Sequence, residues 1–468
     1  MTLFIARLYA EPVKINQNRL LSDAAKLTGA RFRRVLSAED HMVFPLKPAD
    51  FAEGLEAGRK LEICLPGREA WTPVTSSAQL RQLLETAWGS GYQVAQALLP
   101  PTAGAGRLLS DAGGRIQNLL LQCPGPNFAE DMAPVWNQLA AHTAGETRLI
   151  VAVPEGKRGD EARQLLEQSI EHKEKLQFVA VPGGDHWLTQ WSRDSILARE
   201  DGLLVPNRTN WSSANNNPEG ETADTTVAFL LAQAGKTRQA SPLPWISLDG
   251  GNVVNNARTA FIGEDSLKNT AALLKQHGME DQALAVLGDV LGKEVMVLPQ
   301  MTFHVDLSVT PLGEKTVLVA DPALGRRLLQ ALPENQRPDL DQAMVKAAGL
   351  REDSILQGYM QELDSAEFEQ AATQLQGAGY QVARLPFLPA PVRGQPSLSY
   401  NNVLVEEYAG VKQVFLPQYG CPPLDQAARQ TYEQLGYSVV PVDMAKLSCQ
   451  MGALRCSALP IARDTADR

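Results

Sequence analysis

The chain has 468 residues, of which 44% are hydrophobic and 21% charged, enough to bury the cores of two or three globular domains. Its formal charge of −10 excludes a general nucleic-acid binder, which needs a basic face to neutralise phosphates, and is compatible with a cationic substrate. No apolar run approaches the roughly 18 residues of a membrane span, and the opening MTLFIARLYAEP is too short an apolar stretch for a secretory signal. The expectation is a cytoplasmic protein with no membrane or nucleic-acid partner, although a leaderless export route would leave no N-terminal trace.

Residues 1–145 read as an accessory region. They hold helix-like pieces, SDAAKLTGARFRRVL and SSAQLRQLLETAWGSG, and a Pro/Gly-rich loop, LLPPTAGAGRLLSDAGG. GYQVAQALLP, ending at Pro100, echoes strands found later and is a candidate for a degenerate extra unit.

From residue 146 onward one theme recurs: an apolar strand, a helix-like segment, then a second strand that often ends in proline. TRLIVAVPEG leads into DEARQLLEQSIEHKEK and then LQFVAVP, ending at Pro182. Similar closing strands are EVMVLP, ending at Pro299, GYQVARLP, ending at Pro386, and GYSVVPV, ending at Val442. The last follows LDQAARQTYEQLG, with Gly436 as the helix stop. Such units predict an α/β architecture of similar modules stacked or closed around an axis, with 146–468 as the catalytic domain.

A polar cluster follows each closing strand: WSRD, FHVD, SYNN and MGALRC. If the units are equivalent, these clusters share one end of their modules and converge on one site. In WSRD, Trp191, Arg193 and Asp194 offer an aromatic wall and a carboxylate suited to a planar cation, or else a surface salt bridge beside a tryptophan. SLDGGN has adjacent glycines, Gly250 and Gly251, for a tight turn or a close backbone approach, with Asp249 and Asn252 available for polar contacts. Placed in a strand, His304 and Asp306 of HVD project from one face, either as an acid/base pair or as a core histidine satisfied by its acid. The five cysteines, Cys64, Cys123, Cys421, Cys449 and Cys456, are scattered, with no CxxC pair, which fits reduced thiols and no zinc site. Cys456 follows the small, flexible run from Met451 to Leu454, where a thiol is either exposed at a turn or buried and inert. Nothing matches a calcium loop, so neither a metal nor a cofactor is expected.

The ordered set W-x-R-D, D-G-G-N, H-V-D, S-Y-x-N and G-A-L-x-C resembles the guanidino-group-modifying superfamily of penteins, and looks most like the peptidyl-arginine and agmatine deiminases. PQYG, Pro417 to Gly420, is similar to a further agmatine deiminase segment. The resemblance spans residues 147–465. It implies a pentein-type five-bladed propeller of ββαβ units with an additional N-terminal region. It also implies Cys456 as nucleophile, His304 as general acid/base, and Asp194 and Asp306 as the guanidinium grip. Trp191 would form a wall and Asn402 would line the pocket, with Arg193, Gly251 and Asn252 in the substrate-binding motifs.

Five positions depart from the family pattern. Arg455 and Met451 stand where histidine and glycine are usual, Asp249 replaces a glutamate, and Ser195 and Ile196 replace Thr-Gly. Arg455 would pair with a substrate carboxylate or point to solvent. The expected activity is hydrolysis of an arginine-type guanidinium to a ureide and ammonia through a covalent cysteine thiouronium. The favoured substrate is arginine in a peptide or protein, because of the N-terminal region and the helix-rich insertion DLDQAMVKAAGLREDSILQGYMQELDSAEFEQA. Agmatine deimination, amidino transfer and a catalytically silent binding pentein are the alternatives. The last is opposed by the presence of Cys456, His304, Asp194 and Asp306.

Overall fold

The computed structural model describes residues 106–464 apart from 182–187, 208–219, 276–278 and 353; of the preceding region it describes four strands and residues 75, 76 and 79. Those strands, β1 (Phe4–Tyr9), β2 (Met42–Phe44), β3 (Lys60–Cys64) and β4 (Trp71–Val74), form one antiparallel sheet of order β2-β1-β3-β4. The two helix-like pieces read from the sequence there, and the strand echo ending at Pro100, fall almost wholly outside the described residues.

The rest is a mixed α/β fold in which five sheets repeat one pattern. The first contains β5 (Arg115–Gln122), β6 (Arg148–Pro154) and β7 (Leu176–Val181), all parallel. The second contains β8 (Leu197–Arg199), β9 (Gly202–Asn207) and β10 (Ala240–Ser247). β11 (Val253–Asn255), β12 (Thr259–Gly263) and β13 (Glu294–Leu298) make the third. The fourth has β14 (Val309–Leu312), β15 (Thr316–Asp321), β16 (Gln381–Leu388) and the short β17 (Leu398–Ser399). The fifth has β18 (Leu404–Tyr408), β19 (Val411–Gln418) and β20 (Ser438–Asp443). In the last four sheets an antiparallel hairpin is followed, through helices, by a strand parallel to the second. The first sheet completes the pattern with β21 (Ala458–Asp464), which pairs antiparallel to β5 from the far end of the chain.

Residues 115–142, which sequence reading put before a boundary near 145, thus supply β5 and the helix Pro126–His142 to the same sheet as β6 and β21. β6 is buried along all but its first residue, which is why it reads as a continuous apolar run rather than an alternation. The helix Pro422–Gln434 ends as expected, with Gly436 at φ +85° just beyond it. The helix-rich insertion forms three helices, Arg337–Ala348, Leu356–Tyr359 and Ala366–Gly377, between β15 and β16.

Pairing register places the polar clusters together. Val253 pairs with Ile262, so the start of β11 lies beside the end of β12, and the parallel β13 ends at that same edge. The same holds in the other four units, where Leu197 pairs with Leu204, Val309 with Val319, Leu404 with Phe415 and Ala458 with Leu121. Each cluster therefore immediately precedes the first strand of a unit: WSRD before β8, DGGN before β11, HVD before β14, SYNN before β18 and LRC before β21. Hydroxyls of buried tyrosines brace the fourth of these. Tyr419 of PQYG donates to the Ser399 carbonyl at 2.6 Å, and Tyr432 to that of Tyr400 at 3.0 Å.

Candidate active site

Cys456 lies in a single helical turn, Leu454–Ser457, and is 2% exposed. Asn402 holds this turn at both ends of its amide. Its Oδ1 accepts from the backbone N–H of Arg455 at 2.8 Å and of Cys456 at 3.2 Å, while its Nδ2 donates to Cys456 Sγ at 3.2 Å. A second tie comes from WSRD, where the Arg193 N–H donates to the Cys456 carbonyl at 3.2 Å. Asp306, fully buried, faces the sulfur with Oδ2 at 3.6 Å and Oδ1 at 4.0 Å.

HVD is not in a strand, as the sequence reading had it. His304 is extended, and Val305–Leu307 form a 3-10 turn just before β14. The buried Asn252 fixes this turn by accepting from the Val305 N–H at 3.1 Å, and is itself held by Gln300 and Ser266. His304 Nε2 lies 3.2 Å from Asp249 Oδ1. Gly251 is the floor beneath the ring: a Cβ added there would stand 2.3 Å from His304 Nδ1. The glycine pair therefore serves close approach, the other glycine, Gly250, being pressed against the Arg193 carbonyl. The Trp191 ring lies against Gly452, where an added Cβ would stand 2.4 Å from it.

Electrostatics follow from this packing. Burial opposes a charged His304, but Asp249, with Cys456 and Asp194, outweighs it and holds the ring well above its ordinary value. Burial and the charge of Asp306 push the Cys456 thiol up to about 11, against the pull of His304. Both shifts favour the protonated forms of the ring and of the sulfur in the free site. Asp194, Asp249 and His304 also bring one ligand atom each within 4.8 Å of one another, a spacing able to hold a cation.

Two arginines do not face an open pocket. Arg193 donates from Nε to the Arg455 carbonyl at 3.0 Å and from Nη1 to Asp111 Oδ1 at 3.3 Å. Arg455 does not point to solvent, being 3% exposed. Its Nη1 donates to Asp306 Oδ2 and its Nη2 to Asp111 Oδ2, both at 2.9 Å. The structure thus brings Cys456, His304, Asp306, Asn402, Gly251, Asn252 and the WSRD loop to one place, and turns the Arg193 guanidinium inward. Sequence reasoning missed Asp111 altogether and gave Asp249 no part beside the histidine.

The comparisons with known proteins match this assembly. The Porphyromonas-type peptidyl-arginine deiminase family matches residues 122–461, well over half of the chain. The chain belongs to that family. Among solved structures, a provisionally named arginine deiminase from Porphyromonas gingivalis is similar at a TM-score of 0.52 and 18% identity, covering 75% of this chain and 97% of its own. The agmatine deiminase of C. jejuni is similar at a TM-score of 0.50 and 14% identity, covering 77% of this chain and 97% of its own. A provisionally named peptidyl-arginine deiminase gives 0.52, 15%, 75% and 97% in the same order. At these identities the structural likeness establishes a shared α/β fold. No curated protein sequence matches the chain. No helix among the described residues is long and apolar enough to cross a membrane.

Proposed function

We propose that this protein is a guanidino-group hydrolase that converts an arginine-type guanidinium to a ureide and ammonia, with Cys456 as its nucleophile. Arginine in a peptide or protein is the first substrate class and agmatine the second. The observation that carries the reading is the convergence of five separate pre-strand clusters on one buried thiol, with an acid-paired histidine and a carboxylate against it. The five sheets, joined by the pairing of β21 with β5, are read as the blades of a closed propeller.

A guanidinium is planar and permanently charged, so Asp194 and Asp306 can fix its orientation while its positive charge favours the thiolate, the thiol proton passing to solvent as the substrate binds. The thiolate sulfur bonds to the guanidino carbon, the C–N bond breaks, and His304 gives its proton to the departing ammonia. Neutral His304 then takes a proton from water as that water attacks the thiouronium carbon. The C–S bond breaks, the thiolate is restored, and the ureide leaves with its proton lost to ammonia. On this reading the carboxylate of Asp194, which belongs to the cation-holding cluster with Asp249 and His304, serves the substrate's own charge.

The test is colorimetric ureide detection from agmatine, free arginine and a blocked arginine peptide, with wild type and Cys456→Ala. Ureide from one substrate and none from the variant supports the reading and names the class. No ureide from any of them, with folded protein, refutes hydrolysis of these guanidines.

A further inference from the structure

Asp111 lies in the segment that leads into β5, before the family-matched residues 122–461 begin. Its backbone N–H donates to the Asn255 carbonyl at 3.0 Å, and its Oδ2 accepts from the Asn255 N–H at 3.0 Å and Nδ2 at 2.9 Å, so it is moored to the hairpin that follows DGGN. The same carboxylate takes Arg455 Nη2 on Oδ2 and Arg193 Nη1 on Oδ1. Burial raises the cost of its charge, but Arg455 and Arg193 outweigh this and hold its carboxyl down at about 2.

Arg455 is thus a guanidinium belonging to the protein, suspended between two carboxylates beside the candidate nucleophile. Its Nη1 occupies Asp306 Oδ2, the oxygen nearer the sulfur at 3.6 Å, and does not engage Oδ1, 4.0 Å from the sulfur. A guanidinium prefers to meet a carboxylate with two parallel hydrogen bonds. Nothing about Asp306 alone would stop Arg455 from closing over both oxygens and shutting out a substrate that needs one of them. The pull of Asp111 on the other Nη, with carbonyl contacts from Gly250 and Val253, keeps that from happening.

We propose that Asp111 is a positioning residue that restrains Arg455, so that the internal guanidinium does not displace the substrate guanidinium from Asp306. This rests on the deiminase reading above. Its consequence is that loss of Asp111 weakens substrate binding through Arg455, and that removing Arg455 reverses the loss. A purely structural role for Asp111 predicts no such reversal.

The experiment is protection of Cys456 from iodoacetamide by agmatine and by a blocked arginine peptide, followed by mass spectrometry of the Cys456 peptide. It reads binding at the thiol without needing turnover. For Asp111→Asn, checked as folded by its thermal transition, the half-protecting concentration should rise at least tenfold. In Asp111→Asn with Arg455→Met it should return to within threefold of wild type. Arg455→Met alone, informative even if Asp111→Asn fails to fold, should need no more protector than wild type. An Asp111→Asn value within threefold of wild type, an unrescued double variant, or weaker protection in Arg455→Met would each overturn the proposal. If wild-type Cys456 is protected by neither compound, it is the deiminase reading that fails, and the restraint falls with it.

Discussion

Gly251→Ala is the smallest change that should disable the site. The added Cβ would stand 2.3 Å from His304 Nδ1 and 2.8 Å from its Cγ, whereas ordinary contact begins at 3.4 Å. The ring must therefore retreat by about 1 Å, the difference between those two separations, or the DGGN turn must move instead. Neither yields easily. Nε2 is paired with Asp249, the next N–H is held by Asn252, and Gly250 on the other side is already against the Arg193 carbonyl. Overpacking of this kind costs about 1–3 kcal/mol of stability. A displacement of about 1 Å at an acid/base group costs on the order of 100-fold in turnover. Ureide formation by Gly251→Ala should fall by about that factor while the protein remains folded at 25 °C. A variant with a turnover within threefold of wild type would refute the claim that the glycine exists to seat the histidine.

Three further outcomes follow from the same geometry. Asn402→Ala strips the acceptor from two buried N–H groups, each worth about 1–3 kcal/mol, so urea unfolding should show a loss of about 2–4 kcal/mol; a loss under about 1 would contradict the bracing role. With the Cys456 thiol near 11, its alkylation by iodoacetamide in the free protein should rise about tenfold for each pH unit between 7 and 10, and a plateau near neutrality would contradict the resting thiol. Met451 carries a left-handed φ of +68°, so Met451→Gly should raise stability by about 0.5–1 kcal/mol in calorimetry, and a fall would contradict strain there.

The site's legibility in the sequence has a physical basis. WSRD, DGGN, HVD, SYNN and LRC are short polar runs beside apolar strands, and register places each of them just before the first strand of a unit. The alternation His304-Val305-Asp306 reads equally as a strand, and only the hydrogen bond from Val305 to Asn252 shows the turn. Asp249 and His304 meet because β11 begins and β13 ends at one edge, a pairing that no local pattern encodes. β5 was assigned to the N-terminal region because its partner β21 lies at the opposite end of the sequence, although the apolar run RIQNLLLQ carried a strand signal. Asp111 sits in a glycine-bearing loop without periodicity, and nothing in the text of LRCSA indicates that Arg455 turns inward to two carboxylates.

The central claim is that Cys456 bonds to the guanidino carbon. Its most direct test is rapid acid quenching during turnover of whichever guanidine yields ureide, with mass analysis of the peptide containing Cys456. The account predicts an adduct of substrate mass less ammonia on Cys456 and on no other cysteine, absent in Cys456→Ala. Ureide formation that persists in Cys456→Ala, with no adduct in the wild type, would contradict it.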